Sequence, residues 1–198
     1  MSHRNHIPLV AAGLLVAALT VACASAPETT SSAAPAPTSV VERQAAAGPD
    51  IAGLRQPRPG LYTGGQPAAE TWAVMAAAGV STVINLRPDA ELAGRDESAE
   101  VRAAGMAYHQ IPVAGADGLT AENADRLWAL LKDAKGPVVV HCASGNRVGG
   151  LLSIAATRHG ALEPEAALAL GREAGMVSTE AKAKAVLSSD EGRCVSDC

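Results

Sequence analysis

The segment from Val138 to Gly150 constrains the fold more than any other part of this 198-residue chain. Three consecutive valines predict a short buried strand, and His141 and Cys142 follow at its end. A glycine-containing loop then leads to Arg147, which begins an apolar stretch typical of a helix. A strand that passes through a tight loop into a helix directs several backbone N–H groups towards one point. The segment therefore predicts an anion-binding site at the end of a buried strand.

Cys142 lies at the mouth of this predicted site. The positive end of the helix dipole stabilises a thiolate relative to the thiol. Arg147 supplies a planar guanidinium that can hold two oxygens of a tetrahedral anion. Together these residues indicate covalent catalysis at a phosphoryl or sulfur centre. The alternative is that Cys142 is a small buried hydrophobic residue with no chemistry of its own.

Strand and helix patterns alternate along residues 56–188, which we predict to be the folded domain. We predict strands at 61–63, 80–86, 106–113 and 138–140, and helices at 67–78, 91–104, 120–134, 147–159, 164–171 and 179–188. Such alternation predicts an α/β fold with a central, mostly parallel sheet of four to five strands flanked by helices. Ligands of such sheets bind beyond the carboxyl ends of the strands, where Cys142 lies.

Residues 1–23 have the pattern of a bacterial export signal. Leu9–Val21 is an apolar run that is short for a membrane span, and it leads into a lipobox-like sequence with Cys23 as the lipidated residue. Ordinary signal cleavage after Ala24 and a retained anchor are the alternatives. Each of these places the domain outside the cytoplasm, and lipidation makes the membrane a partner. Residues 24–55 are rich in Ala, Ser, Thr and Pro, which predicts a disordered tether.

The charge pattern and the remaining cysteines limit the partners further. The formal net charge is −4 and no block of Lys and Arg occurs, which argues against nucleic acid as a partner. The spacing of histidines and cysteines resembles no metal site. Cys194 and Cys198 lie in a polar tail, residues 189–198, where they can form a small disulfide or resolve an oxidised Cys142.

The loop His141–Arg147 resembles the signature of the protein-tyrosine-phosphatase-like superfamily, in particular the bacterial phosphatase-like domains also found fused to beta-lactamase-like hydrolases. Four further stretches resemble that family in the same order, over about residues 58–177: 64–67, 79–89, 108–113 and 171–175. The resemblance implies a cysteine-phosphatase-like fold and hydrolysis of phosphomonoesters, of a protein or a small molecule, through a phosphocysteine. It implies no cofactor.

The resemblance also implies roles for single residues. Cys142 is the expected nucleophile and Arg147 the phosphate-binding arginine. The expected contacts to the substrate come from His141, Ala143, Ser144, Gly145 and Asn146. A general acid is expected on the loop after Ile111-Pro112-Val113, where Asp117 is the available carboxylate, with Asp89 as the second candidate.

Two features of the loop differ from the usual phosphatase pattern. Four residues separate Cys142 from Arg147, where phosphatases have five, and four is the length typical of rhodanese-like sulfurtransferases. Val148 stands where phosphatases carry a hydroxyl residue that steadies the departing thiolate. Two alternatives therefore accompany the phosphatase interpretation: a protein that carries a persulfide on Cys142, and an oxyanion-binding module with little turnover.

Overall fold

A computed structural model describes residues 49–51 and 53–189. In chain order the elements are β1 Leu54–Arg58, β2 Leu61–Gly64, α1 Thr71–Ala77, β3 Thr82–Asn85, a 3₁₀ helix Asp89–Glu91, α2 Glu97–Ala103, β4 Ala107–Gln110, α3 Ala121–Asp133, β5 Val138–His141, α4 Asn146–Arg158, α5 Pro164–Glu173 and α6 Glu180–Ser188. None of the helices in the described ranges has the length and apolarity needed to cross a membrane. The predicted signal segment with Cys23, and the tail with Cys194 and Cys198, lie outside the described residues.

The five strands form one mixed sheet in the order β1-β2-β5-β3-β4. The four strands β2, β5, β3 and β4 pair in parallel, and β1 pairs antiparallel to β2 at the edge of the sheet. The predicted α/β fold with a mostly parallel sheet is confirmed. β1 has no counterpart among the predicted strands because its sequence, LRQPR, contains a proline and lacks an apolar alternation. An edge strand tolerates that proline, since only one side of it pairs. The predicted tether boundary at residue 55 therefore falls inside β1.

The sheet separates two apolar cores, one on each face. Val138 and Val140 of β5 belong to the larger core, which includes buried residues of α3, α4, α5 and α6. Val139, between them, belongs to the smaller core with Trp72 of α1 and Val101 of α2. Because side chains alternate along a strand, the three valines bury β5 on both faces. Packing against the two cores therefore fixes the carboxyl end of this central strand, where the Cys142 loop begins.

Helices α4 and α5 approach each other closely at glycines. A Cβ atom on Gly149 would lie 2.2 Å from the carbonyl oxygen of Gly171, and one on Gly171 would lie 2.1 Å from Ser153 Oγ. Side chains at these two positions would force the helices apart. The Gly149-Gly150 pair after Arg147 thus has a packing reason, and it brings α5 and the following loop against the start of α4.

Two predicted helices begin later than expected. The predicted helix 91–104 is interrupted because Ala93 and Gly94 have φ of 52° and 79°, outside the helical region. The helix then restarts at Glu97, where the Asp96 side chain accepts a hydrogen bond from the Ala99 N–H at 2.9 Å. The predicted helix from Pro67 begins at Thr71 instead, which leaves Gln66 and Pro67 outside the helix, where the Gln66 N–H reaches the Cys142 loop.

Candidate active site

The Cys142 loop connects the end of β5 to the start of α4, as the sequence predicted. Gly145 caps α4 with φ of 88°, a conformation that glycine adopts at no steric cost. Its N–H donates to Cys142 Sγ over 3.1 Å, so one backbone dipole of the loop points at the sulfur. Cys142 itself is 0% exposed. The sulfur therefore sits inside the turn, at the positive end of a helix.

The outer side of the loop is held by the segment after β2. Ser144 forms an isolated bridge with Gly65, and the Gln66 N–H donates to the Ala143 carbonyl at 3.3 Å. A Cβ on Gly65 would lie 3.0 Å from that carbonyl oxygen, which is tighter than ordinary packing. Glycine at position 65 lets the two backbones approach. This contact gives the Gly64–Pro67 stretch a structural role next to Cys142.

Arg147 is anchored along one edge of its guanidinium. Nη1 and Nη2 donate to the two carboxylate oxygens of Glu91 at 2.8 and 2.6 Å, and Nη1 also donates to the Val113 carbonyl at 2.7 Å. The remaining donors, the Nε–H and the second Nη2–H, lie along the other edge of the planar group. That edge can still hold two oxygens of an anion. Burial lowers the pKa of Arg147, but the hydrogen bond to Glu91 and the nearby Cys142 raise it more, so it stays charged.

Glu91 is a site residue that the sequence analysis missed. It ends the 3₁₀ helix, and its side chain is about one-third exposed, at 35%. The hydrogen bond from Arg147 is the largest cause that holds the pKa of Glu91 below its usual value, with Arg87 contributing. The sequence analysis placed Glu91 at the start of the predicted helix 91–104 and gave it no role in the site. The available signal was its position four residues after Arg87, two residues beyond the stretch 79–89 that resembles the family.

A buried acid–histidine pair lies on the other side of the loop. His141 Nε2 is 2.8 Å from Glu97 Oε1, and both side chains are 0% exposed. Gln66 Nε2 donates to the second oxygen of Glu97 at 2.5 Å. Burial raises the pKa of Glu97, but the hydrogen bonds from His141 and Gln66, with the charge of His141, outweigh it and the pKa lies below its usual value. His141 Nδ1 is buried and has no hydrogen-bond partner among the described residues.

The other predicted loop residues occupy different surroundings. Ala143 and Ser144 are exposed, whereas Gly145 is buried. The Asn146 side chain binds the segment 177–179: Oδ1 accepts from the N–H groups of Val177 and Thr179, and Nδ2 donates to Ser178 Oγ. The amide of Asn146 thus holds the start of α6 against α4. Its backbone N–H is the part left for an anion.

The two acid candidates are both on the surface. Asp117 lies in the turn 115–118 after Val113, is fully exposed, and has its carboxylate 3.9 Å from Lys182 Nζ. Asp89 is exposed and accepts a hydrogen bond from Gln110 Nε2 at 2.9 Å. Val148 is 1% exposed in the core, so it offers no hydroxyl to the sulfur. The general acid therefore stays a prediction.

A cavity of about 400 Å³ opens at the opposite end of the sheet from Cys142. Its lining includes Gly60 and Leu61 at the start of β2, Val138 at the start of β5, and Trp128 of α3. Because β2 and β5 run parallel, the cavity lies at their amino ends, whereas the Cys142 loop follows the carboxyl end of β5. Among residues 49–51 and 53–189, no group of three or more His, Cys, Asp or Glu side chains could hold a metal ion.

Residues 53–158 match the family model of the beta-lactamase hydrolase-like protein, phosphatase-like domain. The match covers more than half of the chain. The chain belongs to this family. The matched range contains the Cys142 loop, Gln66, Glu91 and Glu97. The resemblance seen in the sequence is thereby confirmed.

Curated relatives carry the same domain within longer proteins. The beta-lactamase hydrolase-like protein of Xylella fastidiosa (strain Temecula1) is 34% identical over 119 residues, which is 58% of this chain and 27% of the relative. That of Agrobacterium fabrum (strain C58) is 35% identical over 91 residues, which is 44% of this chain and 21% of the relative. This chain therefore spans about a quarter of each relative's length.

Solved structures share the fold. A DUF442 protein of Shewanella putrefaciens CN-32 is 26% identical with a TM-score of 0.54, covering 70% of this chain and 93% of that chain. P. aeruginosa TpbA, in complex with pTyr, is 23% identical with a TM-score of 0.56, covering 70% and 85%. The family match and these likenesses show that this chain contains a phosphatase-like domain with the fold of these solved structures.

Proposed function

We propose that the domain hydrolyses phosphomonoesters through a phosphocysteine on Cys142. The observation that carries the proposal is the pairing of a sulfur that accepts the Gly145 N–H with an arginine whose second edge remains available. Cys142 Sγ attacks phosphorus, the bond to the ester oxygen breaks, and the leaving alcohol takes a proton. Water then attacks the phosphocysteine and releases phosphate and the thiolate. Arg147 and the loop N–H groups stabilise the equatorial oxygens.

Phosphate release from an aryl phosphate tests this proposal. We expect turnover by the wild type and none by Cys142→Ser, because the serine hydroxyl is a far weaker nucleophile at neutral pH. A second comparison uses Arg147→Lys, which keeps the charge but cannot present a planar pair of donors, and it should lose most of the activity. A wild type no faster than Cys142→Ser contradicts the proposal.

Asp117 is the proposed general acid. Its turn follows Val113, whose carbonyl binds Arg147, so the turn borders the site. Its carboxylate would have to leave Lys182 and reach the leaving oxygen. Asp117→Asn should therefore slow esters with poor leaving groups much more than esters with good ones. Equal slowing of both, or none, would remove Asp117 from the mechanism.

The proposed substrates are phosphotyrosine-like esters. TpbA shares this fold and was crystallised with pTyr, which supports an aryl ester as the first substrate to try.

We further propose export and lipidation at Cys23, which lies outside the described residues. Expression of the full chain with Cys23→Ala should move the protein from the membrane fraction to the soluble exported fraction. An unchanged membrane fraction would contradict lipidation at this residue.

Sulfur transfer is the second candidate function. Three observations favour it: the four-residue loop, the buried Val148 in place of a hydroxyl, and an acid candidate whose carboxylate lies at the surface. Attack of Cys142 Sγ on the outer sulfur of thiosulfate would release sulfite and leave a persulfide, which cyanide would remove as thiocyanate. No leaving-group protonation is needed in the first step.

The two candidates are separated by the covalent state of Cys142. Incubation with thiosulfate should add the mass of one sulfur to the Cys142 peptide if sulfur transfer is correct, and thiocyanate should form on addition of cyanide. A phosphocysteine trapped by acid quench during aryl phosphate turnover supports the phosphatase. Phosphate binding without either covalent species would select the oxyanion-binding module.

A further inference from the structure

Gln66 makes hydrogen bonds at both ends of its side-chain amide. Nε2 donates to Glu97 Oε2 at 2.5 Å, and Oε1 accepts from Arg87 Nη1. The backbone N–H of Gln66 donates to the Ala143 carbonyl of the Cys142 loop. Gln66 thus contacts a carboxylate, a guanidinium and the backbone of the Cys142 loop.

The contacts of Gln66 with Glu97 and with Arg87 each lead, through further hydrogen bonds and ion pairs, to one end of the Cys142 loop. On one side, Glu97 binds His141, the residue before Cys142. On the other side, the Arg87 Nη2 donates to the Glu91 carbonyl, and Arg87 Nε lies 3.6 Å from Glu91 Oε2. Glu91 in turn holds both terminal nitrogens of Arg147. The polar contacts form an unbroken chain, which we name the loop brace: His141, Glu97, Gln66, Arg87, Glu91 and Arg147.

An amide is the side chain that suits the centre of the loop brace. It must donate to the carboxylate of Glu97 and accept from the guanidinium of Arg87 at the same time. A carboxylate at position 66 would face Glu97 without a proton to donate, and a cationic side chain would face Arg87. An apolar side chain would leave both partners without that bond, and the Glu97 side chain is fully buried.

We propose that Gln66 is a positioning residue that couples the two ends of the Cys142 loop. The inference rests on the proposed function, because it concerns the same site. Gln66 fixes Glu97 and so the ring of His141 next to the nucleophile. Through Arg87 and Glu91 it also fixes the plane of the Arg147 guanidinium. The position of Cys142 relative to the guanidinium of Arg147 is therefore fixed by one neutral side chain that need not touch the substrate.

Gln66→Met tests the proposal, with Gln56→Met as the matched control. Methionine keeps the length of the side chain and removes the amide in both variants. Gln56 lies on β1, and its Nε2 is buried without a hydrogen-bond partner among the described residues, so its amide makes no contribution through that atom. Misplaced reacting groups cost on the order of tenfold to a hundredfold in rate. We expect Gln66→Met to lose at least about tenfold in kcat for an aryl phosphate, with KM changed much less, and Gln56→Met to match the wild type.

A second readout does not depend on phosphate turnover. The rate at which iodoacetamide alkylates Cys142, followed by mass spectrometry of the Cys142 peptide, reports how the sulfur is held. We expect this rate to change severalfold in Gln66→Met and not in Gln56→Met. If the wild type turns over no phosphate ester, the proposed function fails, and the alkylation rates still decide the role of Gln66.

Gln66→Glu is the variant to use if Gln66→Met fails to fold. It keeps an oxygen for Arg87 and disrupts only the contact with Glu97, so the change should appear in Cys142 alkylation as well as in kcat. The proposal is overturned if the folded Gln66 variant matches Gln56→Met in both kcat and alkylation rate.

Discussion

Replacing Asn146 with alanine should detach the segment 177–179 from the start of α4. Asn146 Oδ1 accepts hydrogen bonds from the N–H groups of Val177 and Thr179 at 2.8 and 3.2 Å. Asn146 Nδ2 donates to Ser178 Oγ at 2.6 Å. Thr179 is 3% exposed and caps α6, so water cannot easily replace the lost partner of its N–H.

The expected cost follows from the burial of each partner. A buried donor left without a partner costs about 1–3 kcal/mol. Val177 and Ser178 are exposed, so water compensates most of their loss, and each adds about 0.5 kcal/mol. We therefore expect Asn146→Ala to lower the free energy of unfolding by about 2–4 kcal/mol. Urea unfolding at pH 7, followed by circular dichroism, measures it.

Asn146→Asp separates this packing role from a role in binding. Aspartate keeps the accepting oxygen for Val177 and Thr179, so its free energy of unfolding should stay within about 1 kcal/mol of the wild type. Its negative charge beside the anion site should weaken competitive inhibition by inorganic phosphate. The reasoning is refuted if Asn146→Ala unfolds at the wild-type urea concentration and instead loses phosphate affinity, because the side chain would then serve the anion directly.

Two further predictions follow from the packing and the charges. Gly149→Ala places a Cβ against the backbone of Gly171 and Met176, which cannot move aside. Although alanine favours helices, we expect the free energy of unfolding measured in urea to fall by about 2 kcal/mol. Wild-type stability would contradict the close crossing of α4 and α5. The lowered pKa values of Glu91 and Glu97 stabilise the fold above an unfolded-state pKa of about 4.3, and this contribution is lost as pH falls through the folded-state values. Urea unfolding between pH 7 and pH 3 should show that loss, and Glu91→Gln should show a smaller one; an identical pH dependence in Glu91→Gln would argue against the ion pair with Arg147.

Much of the fold was predictable because its signals are local. Three valines before His141 specify a strand buried on both faces, and Thr120 caps α3 by accepting from the Asn123 N–H at 3.2 Å, as the cap pattern indicates. β1 was not predictable in this way. Its residues lack a strand pattern, and it exists because the edge of β2 offers partners for its backbone. Likewise, the break at Ala93 and Gly94 depends on backbone angles that a charged, helix-like composition does not reveal.

For the site, the amino-acid order alone determined the loop, since Cys142, the glycine turn and Arg147 are neighbours in sequence and their chemistry follows from that spacing. Only the tertiary structure decided what surrounds them. Glu91 is 56 residues from its partner Arg147, Glu97 is 44 residues from His141, and Gln66 is 77 residues from Ala143. Because these separations are long, the partners meet only when the chain has folded.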